Sequence, residues 1–202
     1  MKKQVIGLTG ILGSGKSLVA DFLAAEGAVV IDMDQAGRYV VDHSKHVRRA
    51  LRSAFGESIF DEQNRLKRNN LADLVFSDPE SLTKLNRIVH PVMLERARKL
   101  ITDAQQASNG CCLVVDAALL FELGFDAECD KVVTVVAPLD LCLERAVQFK
   151  KISREQALRR IQVQLSQGEK EKRADHVLVN DGSTALLRKR VAALLPFLLA
   201  EN

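Results

Sequence analysis

The segment Gly10-Ile11-Leu12-Gly13-Ser14-Gly15-Lys16-Ser17 constrains this chain more than any other stretch of it. It fits the pattern G-x-x-x-x-G-K-[ST], and its setting fits as well. The apolar run Val5-Ile6-Gly7-Leu8-Thr9 reads as a strand before it, and the residues after Lys16 continue with helical period to a glycine stop at Gly27. A strand, glycine-rich loop and helix in this order wrap backbone N–H groups around phosphate. The glycines let the backbone approach, the helix start adds partial positive charge, and Lys16 reaches the β- and γ-oxygens. A nucleoside triphosphate is the expected ligand of Gly13, Ser14, Gly15, Lys16 and Ser17, with the Ser17 hydroxyl on Mg²⁺.

Similar apolar runs of strand length alternate with helical segments along the 202 residues. Strands are expected at Gln4 to Thr9, Ala28 to Asp32, Cys111 to Asp116, Lys131 to Ala137 and His176 to Val179. Runs this rich in Val, Ile and Leu suit a parallel sheet buried on both faces, so the fold class is α/β with five parallel strands. Helix starts are marked by Asp78-Pro79 and by the capping box Ser153-Arg154-Glu155-Gln156. The interval from Gln35 to Asn109 reads as several helices, more than one crossover needs, and is expected to be a helical substrate-binding insertion. Gln148 to Arg173, rich in charge, reads as a helical lid. Both belong to a single expected domain spanning 1–202.

Composition narrows the partners. A formal charge of +3, with Lys and Arg spread along the chain, makes no case for nucleic acid or a membrane surface. Aromatic residues at 4% and no Trp argue against a platform for stacking bases. No stretch approaches a membrane span, and the start MKKQVIGLTG runs into the phosphate loop without a cleavage site. Cys111, Cys112, Cys129 and Cys142 lack metal-site spacing, and the adjacent pair is expected to pack as small hydrophobes in a reducing, cytoplasmic setting.

The second expected strand ends in Val30-Ile31-Asp32-Met33-Asp34, and strand carboxyl ends face the ligand crevice in an open parallel sheet. A kinase acting on an alcohol gains from a carboxylate that takes the hydroxyl proton, which makes Asp34 the candidate base. The competing reading for these aspartates is a cap on the helix starting at Gln35. Asp116, after Cys-Cys-Leu-Val-Val, reads equally as a Mg²⁺ partner or as a turn residue at a strand end. His90, taken alone, reads first as a hydrogen-bonding histidine at a helix boundary.

With these residues in place, the chain resembles the dephospho-CoA kinases over nearly its whole length. Val30 to Asp34 is similar to that family's V-I-D-x-D. Phe55-Gly56, Arg68, Leu71 and Phe76 resemble its next landmarks, and Leu85-Asn86 through His90-Pro91 resembles L-N-x-x-x-H-P. Asp116 to Glu122 resembles D-x-P-L-L-F-E, while Arg145, Gln164, Ala174-Asp175 and Asn180-Asp181-Gly182 fall on later elements. The resemblance implies a P-loop kinase-type three-layer fold, and an enzyme that uses ATP and Mg²⁺ to phosphorylate the ribose 3′-hydroxyl of dephospho-CoA in the last step of coenzyme A synthesis. It further implies Asp34, Lys16 and Arg145 as catalytic residues, and Gly13 to Leu18 with Asn180 and Gly182 on the nucleotide, the last two beside adenine. Asp34, Arg68, His90 and Leu119 would meet the acceptor, and Ser17 with Asp116 the metal.

Three departures stand out: Ile11 for a second glycine, Leu18 for threonine and Ala118 for proline. A fourth matters more, since Phe149 stands where the resemblance places a second arginine, one helical turn after Arg145. Losing that arginine removes one donor for transition-state charge, and Lys150, Lys151 and Arg154 are the nearby cations. Two other readings stay open at this point: a nucleoside or nucleotide kinase, and a nucleotide-binding regulator. The sequence says nothing of oligomeric state.

Overall fold

The computed structural model describes residues 2–107 and 110–200. The chain forms two compact units, one made of Met1–Asp32 with Ile101–Asn202 and the other of Met33–Leu100.

The first unit is built on five parallel strands, β1 (Val5–Thr9), β2 (Val29–Asp32), β3 (Leu113–Asp116), β4 (Lys131–Val136) and β5 (His176–Val179), in the order β2-β3-β1-β4-β5. All residues of β1, β3 and β4 are buried, whereas the outer strands are only partly so. This is why the inner strands read as unbroken apolar runs. The expected third strand is shorter than its apolar run, because Cys111 and Cys112 precede β3 and only the second is buried. Exposed Cys111 corrects the expectation that both thiols pack inside.

Parallel neighbours require crossovers, and here these are helical. Helix α1 (Lys16–Ala25) joins β1 to β2. Helices α6 (Leu139–Lys150), α7 (Arg154–Gln162) and α8 (Gln167–Arg173) lie between β4 and β5, and α9 (Thr184–Leu199) follows β5. Leu187, Val191, Leu194 and Leu198 fall on one stripe of α9 and join Val19 and Leu23 of α1 against Ile6, Leu8, Val133 and Val135. Lys131, buried on β4, sends its ammonium to the carbonyls of Phe197 and Ala200, each at 2.6 Å, and so closes the end of α9.

The second unit holds α2 (Met33–His43), α3 (Lys45–Phe55), α4 (Arg68–Ser77) and most of α5 (Pro79–Gln106), whose residues from Ile101 on belong to the first unit. Between α3 and α4 a 3-10 turn at Glu57–Ile59 leads to one antiparallel bridge, Phe60 to Leu66. Arg48 and Arg52 cover the Phe60 ring. As the sequence signals, Asp78 accepts from the N–H groups of Glu80 and Ser81 at the start of α5, and Ser153 with Gln156 forms the box at α7. Asn109, the expected end of the insertion, lies outside the described residues. Among the described residues no helix is long and apolar enough to cross a membrane.

Candidate active site

The glycine-rich loop leaves the carboxyl end of β1 and delivers Gly15, with φ of 93°, as the residue before α1. Gly13, with φ of 82°, is left-handed too, and a side chain on either would also collide with its surroundings. A Cβ on Gly13 would meet the carbonyl of Cys142 in α6, and one on Gly15 the carboxamide of Asn180. Helices α3, α7, α8 and α9 each start with a serine side chain accepting from a backbone N–H, through Ser44, Ser153, Ser166 and Ser183. Helix α1 has no such cap and no acidic residue in its first turn. Its amide donors therefore face outward at the positive end of a helix, which is what an anion needs.

Lys16 forms an ion pair with Asp116 at the end of β3, with both side chains largely buried. Asp116 is paired in register with Leu8 of β1 on one side and with Asp32 of β2 on the other. The sheet thus sets two carboxylates on neighbouring strand ends beside the strand that feeds the loop. Ser17 is exposed at the start of α1, whereas Leu18 packs its side chain against the core and has only its backbone to offer a nucleotide. The Ser14 hydroxyl is buried and has no hydrogen-bond partner among the described residues.

Two side chains from distant segments, Asn180 and Gln164, hold the loop by its backbone. Asn180, buried in the turn after β5, donates from Nδ2 to the Ser14 carbonyl at 2.8 Å. Arg145 of α6 donates to the Asn180 carbonyl at 3.1 Å, and the Leu12 N–H donates to the side chain of Gln164 at 3.1 Å. Gln167 accepts from the Ala137 N–H, also at 3.1 Å. Lys170 is fully buried and donates to the Ala118 carbonyl and to both Glu122 oxygens, each at 2.9 Å. Burial pulls its pKa below the ordinary 10.5, and the Glu122 carboxylate opposes that shift. Sequence reasoning missed Lys170, which sits in Glu-Lys-Glu-Lys-Arg, a run indistinguishable from a solvated helix face.

Phe149 is 69% exposed near the end of α6, on the same face as Arg145. Among the cations considered for its place, Arg154 is engaged by Asp140 at 2.6 Å. Leu119 is half-buried in the turn after β3, and Gly182 lies in the turn after β5, just before the Ser183 cap of α9.

The remaining expected residues lie in the second unit. Helix α2 starts at Met33, directly after β2, so Asp34 stands exposed in its first turn and no loop separates strand from helix. Arg68 opens α4 and reaches both oxygens of Asp42, at 2.7 and 2.8 Å. His90 is half-buried in the interior of α5 with Pro91 after it, which corrects the expectation of a helix boundary. Burial holds its imidazole below the usual 6.5. The unfolded chain then binds that proton more readily than the folded one, so the penalty is absent above pH 6.5 and grows as pH falls. His90→Gln is expected to flatten the acid side of the Tm profile, and an unchanged profile between about pH 5 and 7 would contradict this assignment.

Three of the cysteines are too buried to serve as nucleophiles. Burial pushes Cys112 and Cys129 up to about 12 and Cys142 up to about 11, so these three are thiols at neutral pH.

The family model described as dephospho-CoA kinase matches residues 4–185. A dephospho-CoA kinase of Fusobacterium nucleatum is 36% identical over 191 residues, covering 95% of this chain and 96% of that one. Among solved structures, a protein from Thermus thermophilus superposes with a TM-score of 0.80 at 34% identity, covering 99% of this chain and all of the other. A dephospho-CoA kinase from Campylobacter jejuni superposes with a TM-score of 0.65, covering 95% of each chain. At 23% identity, the latter speaks for the fold alone.

Proposed function

This chain belongs to the dephospho-CoA kinase family, and from that premise we propose that it transfers the γ-phosphate of ATP to the ribose 3′-hydroxyl of dephospho-CoA, giving coenzyme A and ADP. The observation that carries the nucleotide half of this reading is the uncapped start of α1 behind Gly15, with Lys16 held by Asp116 at its side. Among the described residues no side chain caps this helix start, and a buried carboxylate keeps the lysine at that end of the sheet. On nucleotide binding, Lys16 exchanges the Asp116 carboxylate for β- and γ-oxygens.

The donors at this point are a hydroxyl, Ser17, and carboxylates on adjacent strand ends, Asp116 and Asp32. Oxygen donors of this kind fit Mg²⁺, which binds through one or two carboxylates together with substrate phosphates. When bound, Mg²⁺ would neutralise charge on the phosphates; Ser17 and Asp116 would hold it.

We assign the acceptor to the second unit, Met33–Leu100, with Asp34 taking the proton of the attacking hydroxyl and Arg68 and His90 on the substrate. Leu119 is likewise assigned to the acceptor. Arg145 meets the transferring phosphates, and the helices of 148–173 act as the lid that excludes water. The turn after Asn180, through Gly182, supplies backbone groups to adenine. A cytoplasmic site of action, where ATP and reduced thiols coexist, suits this reading.

Purified protein supplied with ATP, Mg²⁺ and dephospho-CoA is expected to form coenzyme A, followed by chromatography of the product. Phosphorylation of another alcohol, with dephospho-CoA left untouched, would overturn the substrate assignment. ATP binding without any turnover would favour a nucleotide-binding regulator, the reading that exposed Phe149 motivates.

A further inference from the structure

Asn180 and Ser14 lie 166 residues apart in sequence and meet through one buried hydrogen bond. The side chain of Asn180 is only one part of a residue whose polar groups are engaged on every side. Its backbone N–H donates to the Val136 carbonyl at 2.7 Å and its carbonyl accepts from Arg145 at 3.1 Å. Its Oδ1 faces a second Arg145 nitrogen at 3.5 Å, while Nδ2 donates to Ser14. The orientation of the carboxamide follows from chemistry, since the Ser14 carbonyl can only accept and a guanidinium can only donate. At 4% exposure, with its amide against the open side of Gly15, Asn180 has no surface left for a base.

We propose that Asn180 is a positioning residue, whose buried carboxamide locks the phosphate loop at Ser14 and Arg145 into one unit, so that loop and guanidinium address the same phosphates together. The inference deepens the nucleotide site proposed above and rests on it. Gly15 is part of the device, because a side chain there would expel the carboxamide. The contribution to ATP therefore passes through the phosphates and is independent of the base. A residue recognising adenine would behave oppositely.

The test compares Mg²⁺-tripolyphosphate, which has no base, with Mg²⁺-ATP by calorimetry. Asn180→Ala is expected to weaken both by a similar factor, roughly tenfold for one lost buried hydrogen bond, leaving their ratio near that of the unaltered protein. Weakened ATP binding with unchanged tripolyphosphate binding would overturn the inference while sparing the nucleotide site. An unaltered protein that binds neither ligand would overturn both. Should the alanine variant not fold, the unaltered protein answers the question through the Asn180 side-chain amide resonances. These are expected to shift with tripolyphosphate and to stay in place with adenosine, and a shift with adenosine alone overturns the inference.

Discussion

Replacing Asp34 by asparagine is expected to lower kcat by roughly 10²- to 10⁴-fold, the range of a lost general base, while the Kd for ATP stays within about twofold. Asparagine has nearly the shape of aspartate, so the first turn of α2 is retained, but it cannot accept the acceptor's proton. Asp34 is exposed, and among the described residues its structural role is that of an anion in the first turn of a helix. That interaction is worth about 0.3–1 kcal/mol, too little to unfold the protein and far less than the expected change in barrier. A transition-state role predicts equal falls in kcat and kcat/KM. Unaltered kcat, or a loss confined to ATP affinity, would remove Asp34 from the chemistry and leave only helix charge to explain it.

The largest effect on stability is expected from Glu122→Ala. That substitution leaves the Lys170 ammonium, which has no exposed surface, without its counter-charge, and deprives the Leu165 N–H of an acceptor at 2.7 Å. Stranding one member of a buried pair typically costs about 3–5 kcal/mol. The Glu122 side chain is 19% exposed, so water reaches the vacated space and the lower end, about 3 kcal/mol, is expected from urea unfolding. Lys170→Met, which removes the charge and keeps the volume, is expected to cost less.

The pH dependence identifies the mechanism. Burial depresses Lys170 below 10.5, so the unfolded chain binds this proton more strongly than the folded one. Stability linked to this group therefore rises with pH up to that value. The Glu122→Ala deficit should shrink as pH climbs toward 10.5, because Lys170 can then fold uncharged. A deficit independent of pH would mean that the lost backbone contact, not the stranded charge, is responsible.

How much of this was legible beforehand depends on the range of the interactions. The loop from Gly10 to Ser17 and the strands around it are encoded by neighbours: glycine spacing, apolar run length and the residues that stop a helix. The cap at Asp78-Pro79 and the box at Ser153 are local as well, and both stand in the structure where their residues signal them. Cys111 went astray because an apolar run announces burial without saying where its strand begins, and β3 starts two residues later. His90 was misplaced because the proline after it usually marks a boundary, whereas here it lies inside α5.

Lys131 and Lys170 were invisible for a different reason. A lysine is buried only when a distant carbonyl or carboxylate waits for it, and the partners here, at Phe197, Ala200, Ala118 and Glu122, are 48 to 69 residues away. Arg154 looked available to replace the arginine missing at Phe149, yet its partner Asp140 is on another helix. Asn180 was expected on the nucleotide side by resemblance, while its contact with Ser14 belongs to the folded chain alone.

The phosphate loop thus belongs to the sequence: eight residues, with a strand before and a helix after, specify an anion site by backbone geometry and helix charge, which need only near neighbours. What the tertiary structure decided is how that loop is held and poised. Parallel pairing set Asp116 beside Asp32 and gave Lys16 its carboxylate. The turn after β5 brought Asn180 beneath Ser14, and burial turned Lys170 from a surface charge into an internal clamp. Each depends on pairing and desolvation between segments far apart in the chain, quantities that no local pattern of residues contains.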